Sequence, residues 1–156
     1  MTSFQIRRAF FDHYSETVNA SPGKYGRRFT CPCCGYLTLG GRGAYEICFL
    51  CSWEDEGQDD DDADDESAAN HGMTLNEARL NFHEHLVMYR PGHDPRIGGG
   101  DTAEELASKR RAVSAFEQLR VNSPEAHSEL WGAIRAEERE LYRLLKLAIA
   151  RYESGG

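Results

Sequence analysis

Apolar residues recur at helical spacing near the start of the chain. Their gaps of seven, three and four residues place them on one stripe of a helix, which consists of Phe4, Phe11, Tyr14 and Val18. We therefore predict an amphipathic helix over residues 4–18 that packs through this stripe. The run Ser21-Pro22-Gly23 follows the last apolar position and is expected to end the helix.

A second helix is predicted to begin after Thr74. Its hydroxyl stands three residues before Glu77, which is the spacing of a capping box, so each side chain can bond the other residue's backbone amide. The apolar positions of this helix are Leu75, Ala78, Leu80, Phe82, Leu86 and Met88. Because proline disfavours a helical residue before it, we expect Pro91 to stop the helix.

The last third of the chain predicts two further helices. Thr102 and Glu105 form another capping-box pattern, which opens a helix reaching about Val121. Pro124 begins a helix that extends to Tyr152. Its apolar stripe is close to a heptad pattern and comprises Leu130, Ile134, Leu141, Leu145, Ala148 and Tyr152. We expect an antiparallel helical hairpin whose surplus apolar surface serves a partner or a homodimer.

Between these helical stretches, short runs suited to β-strands flank a glycine-rich turn. Residues 36–39 and 44–47 are rich in Tyr, Leu and Ile, and Gly40-Gly41-Arg42-Gly43 separates them. This pattern predicts a β-hairpin over residues 36–47.

Four cysteines surround the predicted hairpin and carry the most specific chemistry of the chain. Cys31 and Cys34 form one Cys-x-x-Cys pair, Cys48 and Cys51 form a second pair, and thirteen residues lie between the two pairs. Each short pair can wrap two sulfurs onto one ion, so this spacing predicts a structural tetrathiolate zinc site. Iron and a thiol-disulfide redox pair are the alternatives.

The two cysteine turns, which we call knuckles, differ in sequence. Pro32 and Gly35 suit the first knuckle, because proline fixes one backbone angle and glycine permits a positive φ. The second knuckle has neither residue. Cys33 is left over, and we interpret it as a spectator thiol on the outer side of the knuckle, with a reactive or redox role as the alternative.

Together these elements predict an α+β fold that is mostly helical. A small zinc-ribbon-like β-hairpin module is flanked by an N-terminal helix and a C-terminal helical hairpin. The corresponding segments are residues 1–28 for the amphipathic helix and a basic lead-in, 29–100 for the knuckle module with its acidic loop and helix, and 101–156 for the hairpin.

The charge of the chain is unevenly distributed. Residues 54–66 carry ten acidic groups and no basic one, so removing them from a net charge of -8 leaves +2. Phosphate backbones would be repelled from this side, which makes nucleic acid an unlikely partner. The basic residues that precede the first knuckle are expected to balance this acidic loop within the fold, and they are Arg7, Arg8, Lys24, Arg27 and Arg28.

No stretch of the sequence has the length or apolarity of a membrane span or a signal peptide. The longest unbroken apolar run is the five residues from Ile47 to Cys51. Reduced cysteines persist in the cytoplasm, so we expect a cytoplasmic protein.

Four separated blocks resemble the cysteine-rich CPCC domain family of bacterial proteins over about residues 29–96. They are Cys31-Pro32-Cys33-Cys34-Gly35-Tyr36, Tyr45-Glu46-Ile47-Cys48, the run from Trp53 to Asp59, and Leu75-Asn76-Glu77-Ala78-Arg79. The second knuckle departs from the family pattern, which usually has a proline there. The resemblance implies a small metal-binding module without an established catalytic activity. Genes of this type occur near bacterial polymorphic toxins, so it also implies an immunity or inhibitor role.

The residues favour a binding protein over an enzyme. Four thiolates complete the coordination of zinc and leave no position for water or substrate, so we expect no catalytic residues. The leading hypothesis is a zinc-stabilised module that neutralises a basic toxin domain through its acidic loop. The residues expected to meet that partner are Trp53, Asp59, Asp60, Asp61 and Asp62. The alternatives are a nucleic-acid- or transcription-associated zinc ribbon and a thiol redox protein that uses Cys33.

Overall fold

The computed structural model describes residues 1–23 and 25–155, so Lys24 and Gly156 lie outside the described residues. The chain forms two compact units, Met1–Arg90 and Pro91–Gly156. Over the described residues, the fold is α+β and mostly helical, as predicted, with four α-helices and two small antiparallel β-hairpins. The finer division into residues 1–28, 29–100 and 101–156 stays a prediction.

Helix α1 spans Ser3–Ala20, close to the predicted range. It begins with a capping box in which Thr2 and Gln5 satisfy each other's backbone amides. Phe11, from the predicted stripe, is fully buried, and its ring lies 5.6 Å from that of Tyr36. Helix α1 therefore packs against the first knuckle.

Strands β1 (Phe29–Thr30) and β2 (Leu37–Leu39) pair antiparallel, and the first knuckle lies between them. The predicted hairpin of residues 36–39 with 44–47 is wrong, because Ile47 instead bridges Glu54 across the second knuckle. The intervening glycines form a wide loop whose amides bond to carboxylates. The N–H of Gly43 donates to Asp55 Oδ2 at 2.9 Å, and that of Gly40 donates to Glu46 Oε2 at 2.9 Å. Each cysteine pair therefore occupies its own hairpin turn.

The acidic stretch after the second knuckle is folded. Asp60–Asp62 form a 3-10 turn, and strands β3 (Glu66–Ser67) and β4 (Met73–Thr74) pair antiparallel. Buried Asn70 ties this region to the knuckle, since its side chain accepts from the N–H of Glu54 at 2.8 Å and donates to the carbonyl of the same residue at 2.9 Å.

Helix α2 spans Leu75–His85, and Thr74 caps it by accepting from the N–H of Glu77 at 3.1 Å. The prediction that this helix continues past Met88 until Pro91 stops it is wrong. Leu86 takes a left-handed conformation with φ of 59°, which ends the helix at His85. The chain then folds back, and the side chain of Asn81 donates to the carbonyl of Met88 at 2.8 Å.

The second unit is a helical hairpin. Helix α3 spans Ala103–Val121 behind the predicted Thr102 capping box, and α4 spans His127–Glu153 after a 3-10 turn at Pro124–Ala126. The rings of Phe116 on α3 and Trp131 on α4 lie with their centroids 6.0 Å apart. Earlier on α3, Ser108 bonds to Glu137, which lies later on α4. The helices are therefore antiparallel.

The apolar stripe of α4 is buried in part. Ile134 and Leu141 belong to the core of the hairpin, whereas Leu145 and Tyr152 remain 46% and 69% exposed. The predicted homodimer through these helices stays a prediction. Among the described residues, no helix combines the length and apolar character needed to cross a membrane.

A buried charge cluster joins the start of the second unit to α3. The Asp101 carboxylate lies between Arg96 at 2.9 Å and Lys109 at 2.7 Å, and Arg96 also pairs with Asp94 at 2.7 Å. Lys109 is only 2% exposed, so its ammonium is buried together with the Asp101 carboxylate that it contacts. Although burial opposes it, the hydrogen bond to Asp94 and the charge of Asp101 raise the pKa of Arg96 above its usual range.

Candidate metal centre

The four predicted ligand sulfurs converge on one point. Those of Cys31, Cys34, Cys48 and Cys51 all lie within 4.8 Å of one another, and all four residues are buried. Cys31 and Cys51 approach to 3.7 Å between Sγ atoms, and Cys34 and Cys48 approach to 3.8 Å. Sulfurs arranged in this way can hold one metal ion, and all five cysteines of the chain are free thiols.

The two knuckles share one backbone hydrogen-bond pattern. In the first knuckle, the N–H of Cys31 donates to Tyr36 and the N–H of Gly35 donates to Cys31, both at 2.9 Å. In the second, the N–H of Cys48 donates to Trp53 at 2.9 Å and that of Ser52 donates to Cys48 at 3.0 Å. The departure of the second knuckle from the family sequence therefore leaves its geometry intact.

Backbone amides and one hydroxyl group point at the sulfurs of the second knuckle. The N–H of Cys51 donates to Cys48 Sγ and the N–H of Trp53 donates to Cys51 Sγ, both at 3.5 Å. The Thr38 hydroxyl lies 3.0 Å from Cys48 Sγ. Donors of this kind stabilise thiolates and orient them toward a metal ion. Sequence analysis did not identify Thr38 as part of the site. Thr38 lies on β2, at the end of the first hairpin, where its hydroxyl reaches the second knuckle.

The electrostatics of the cluster favour a cation. Burial raises the pKa of Cys31 and Cys51 well above the ordinary thiol value, and neighbouring sulfurs raise both further. Burial also opposes ionisation of Cys48, but hydrogen bonds from the other three sulfurs outweigh it and lower the pKa of Cys48. The buried sulfurs therefore oppose one another's ionisation. A divalent cation would let all four ionise together.

Cys33 lies outside the group of four sulfurs. It is 1% exposed, so the prediction that it lies on the outer side of the knuckle is wrong. The Cys33 side chain instead lies in the core beside Cys51 of the second knuckle. A buried thiol is poorly accessible to substrates, which argues against the redox alternative.

The acidic loop is balanced in part by arginines of the first unit. Asp59 accepts two hydrogen bonds from Arg8, the longer at 2.8 Å, and one from Arg42 at 2.9 Å. Asp55 is fully buried and accepts from Arg42 Nε at 2.8 Å. Although burial acts in the opposite direction, the bonds from Arg8 and Arg42 lower the pKa of Asp59 well below its usual range.

Of the basic residues expected to balance the acidic loop, Arg8 does so. Arg7 instead donates to the carbonyl of Cys34. The backbone of Arg28 bonds to the side chain of Asn19. Sequence analysis missed the contributions of Arg42 and Arg79, because one lies in the glycine loop and the other on α2, far from the acidic run in sequence.

The residues expected to meet a partner differ in accessibility. Trp53 is fully buried, so the prediction that its ring anchors a partner is wrong. Its side chain instead lies in the core next to the second knuckle. Asp59 is committed to Arg8 and Arg42, whereas Asp60 and Asp61 are exposed and Asp62 is half-buried. Asp60 also pairs with Arg79 at 2.7 Å.

Comparison with known proteins gives one match. Residues 29–93 match the model of a protein family described as "Cysteine-rich CPCC", which confirms the resemblance predicted from the four sequence blocks. No curated protein and no solved structure matches the chain. The matched range contains both knuckles, the acidic loop and α2, whereas α1, α3 and α4 lie outside it.

Proposed function

We propose that this chain, whose residues 29–93 form a cysteine-rich CPCC domain, is a zinc-stabilised protein-binding module. The convergence of four buried sulfurs within 4.8 Å carries the proposal. Without an ion, ionised sulfurs buried next to one another would repel each other away from water, which is unfavourable. With an ion, the same burial becomes a source of stability for the first unit.

Zinc fits this donor set better than other common ions. Four sulfurs in a compact group suit tetrahedral zinc, whereas magnesium and calcium prefer oxygen ligands. Four thiolates also fill the coordination sphere, so the ion would have a structural role and no open position for chemistry. A reducing compartment such as the cytoplasm would keep the sulfurs available for the metal.

Metal content tests this part of the proposal. Native mass spectrometry of the reduced protein, together with elemental analysis, should find one zinc ion per chain. Cobalt substitution should give the intense visible absorption of a tetrahedral tetrathiolate site. A protein that is folded and reduced but metal-free, with melting unchanged by added zinc, would contradict the proposal.

The proposed partner is a basic protein, and we extend the proposal to a bacterial toxin that this chain neutralises. Four exposed carboxylates define what we call the acidic face: Asp61, Asp64, Asp65 and Glu66. Unlike Asp59, these groups point outward, so they retain a field that attracts a cationic surface. A toxin that binds nucleic acid carries such a surface. The 3-10 turn and the β3–β4 pair hold the face in an ordered segment, which lowers the entropic cost of docking.

A co-expression experiment tests the toxin proposal. The chain should restore growth of cells that express a basic toxin encoded beside its gene, and it should bind that toxin in vitro. The triple variant D61N/D65N/E66Q should lose binding, mainly through slower and less salt-dependent association.

The matched control removes three other exposed acids, E84Q/E129Q/E153Q, and so changes the net charge equally. If both triple variants bind with the same affinity and salt dependence as the unmodified chain, the acidic face has no docking role. If the neighbouring toxin kills equally with and without the chain, the inhibitor function is wrong, independently of metal content.

A further inference from the structure

Two arginines from different helices bind the backbone of the first knuckle. Arg7 on α1 donates from Nε to the carbonyl of Cys34 at 3.0 Å, and Arg79 on α2 donates from Nε to the carbonyl of Pro32 at 2.9 Å. We propose that Arg7 and Arg79 are positioning residues of the metal centre, which set its affinity by holding the first knuckle and offsetting its charge.

The residues packed around Arg7 hold its guanidinium in position. Its guanidinium lies 4.7 Å above the Tyr36 ring centroid and 5.5 Å from that of Phe4. A Cβ on Gly35 would lie 3.1 Å from Arg7 Nε and 3.2 Å from the Phe4 ring. The absence of a side chain at Gly35 therefore lets the guanidinium approach the carbonyl.

Arg79 also packs against Phe4. Its guanidinium lies 4.6 Å from the Phe4 ring centroid, and its outer nitrogen pairs with Asp60 at 2.7 Å. Its side chain is only 14% exposed. Phe4 thus lies against both guanidinium groups, and these cation–π contacts help to keep both Nε donors directed at the knuckle.

The bonded carbonyls belong to peptides inside the ligand turn. The carbonyl of Cys34 shares a peptide group with the N–H of Gly35, which donates to Cys31 at 2.9 Å. Hydrogen bonds in series polarise one another, so the arginine bond strengthens the bond that shapes the knuckle.

Charge provides a second contribution. A divalent ion with four thiolates has a net charge of -2, and burying that charge is costly without nearby cations. The two guanidinium groups beside the first knuckle supply positive charge that offsets part of this cost.

This inference rests on the proposed metal centre, and its test separates the two. Zinc affinity is measured by chelator competition on the full chain for R7M and R79M. Each variant should bind zinc about tenfold more weakly, the effect typical of groups that support metal ligands. R7K should recover part of the loss, because it restores the charge but not the guanidinium fork.

R8M is the matched control, because Arg8 is adjacent on α1 and pairs with Asp59 at 2.8 Å instead of the knuckle. All variants are compared at a temperature where circular dichroism shows them folded. The sulfur-to-cobalt charge-transfer band should move to longer wavelength in R7M and R79M, since losing a nearby cation raises the energy of the sulfur electrons. It should not move in R8M.

Each outcome decides one question. If the unmodified chain binds no zinc or cobalt, the proposed metal centre is wrong. If the unmodified chain binds metal, but R7M and R79M match it in affinity and band position, or lose no more than R8M, the positioning role is overturned and the metal centre stands.

Discussion

Gly35 and Ser52 take the same left-handed backbone conformation at equivalent places, with φ of 80° and 71°. Each residue follows the second cysteine of its knuckle and donates its N–H to the carbonyl of the first cysteine. Glycine adopts this conformation readily, whereas a residue with a Cβ is strained in it. The second knuckle therefore keeps the geometry of the first at a conformational cost.

Replacing Ser52 with glycine should stabilise the protein. We expect S52G to raise the free energy of unfolding by about 0.5 to 1 kcal/mol, because the strain of the left-handed serine is removed. Thermal melting of the metal-loaded protein measures the effect. G35A should lower the free energy of unfolding by more than about 1 kcal/mol. The added methyl group would stand at a positive φ and would press against Arg7 and Phe4.

The control for both substitutions is G41A. Gly41 has a negative φ and no atom within 4 Å of an added Cβ, so G41A should change melting little. A destabilised S52G would show that the serine side chain contributes more than its backbone strain costs.

Single cysteine substitutions should distinguish the four proposed metal ligands from Cys33. C48A should abolish tight zinc binding and lower the melting temperature sharply, because three sulfurs cannot complete the site and folding loses the binding free energy. C33A should keep one zinc ion per chain. Elemental analysis and melting with and without a chelator measure both effects, and loss of zinc from C33A would assign Cys33 to the ligand set.

The Asp59 bridge should make stability depend on pH in the acidic range. Its pKa is lowered in the folded protein, so its contribution is fully present above the unfolded value of about 4 and is lost as the pH falls further. We expect D59N to cost about 1 to 2 kcal/mol at neutral pH, a modest value because the group is partly exposed.

Urea unfolding at several pH values tests this linkage. The difference in stability between the unmodified chain and D59N should shrink as the pH falls below about 4, because protonated Asp59 no longer pairs with arginine. D61N serves as the control, since Asp61 is exposed on the same turn. A constant difference across the pH range would show that Asp59 acts through packing or capping alone.

In the second unit, Lys109 should matter far more than other lysines. K109A leaves Asp101 with one of its two cationic partners and opens space in the core, so we expect a loss of about 2 to 4 kcal/mol. K146A, at an exposed position on α4, should be nearly neutral. Chemical denaturation measures both variants, and similar stabilities would contradict the importance of the buried cluster.

The sequence predicted elements whose signals are local. Capping residues such as Thr74 and Thr102 marked helix starts correctly, and the spacing of the four cysteines predicted their convergence. The helix of residues 4–18 followed from its apolar stripe. Each of these features is determined by residues within a few turns of one another, or by the strict geometry of metal ligands.

The errors arose where distant residues decide the structure. The glycine loop looked like the turn of a hairpin, but Asp55 and Glu46 bind its amides and redirect the strands. The left-handed Leu86 ends α2 without a glycine or proline signal. Arg8 was among the residues expected to balance the acidic loop, but the ion pairs of Arg42 and Arg79 with the loop and the burial of Trp53 depend on tertiary packing and were not predicted.

The hydrogen bond from Arg7 to the carbonyl of Cys34 determines which part of the chain is needed to move the metal centre into another protein. A fragment cut to the family-matched range 29–93 would discard α1, and with it Arg7 and the Arg8 partner of Asp59. Such a minimal peptide should aggregate or exchange its ion quickly. A graft intended for another scaffold should therefore include the chain from its first helix through Arg90.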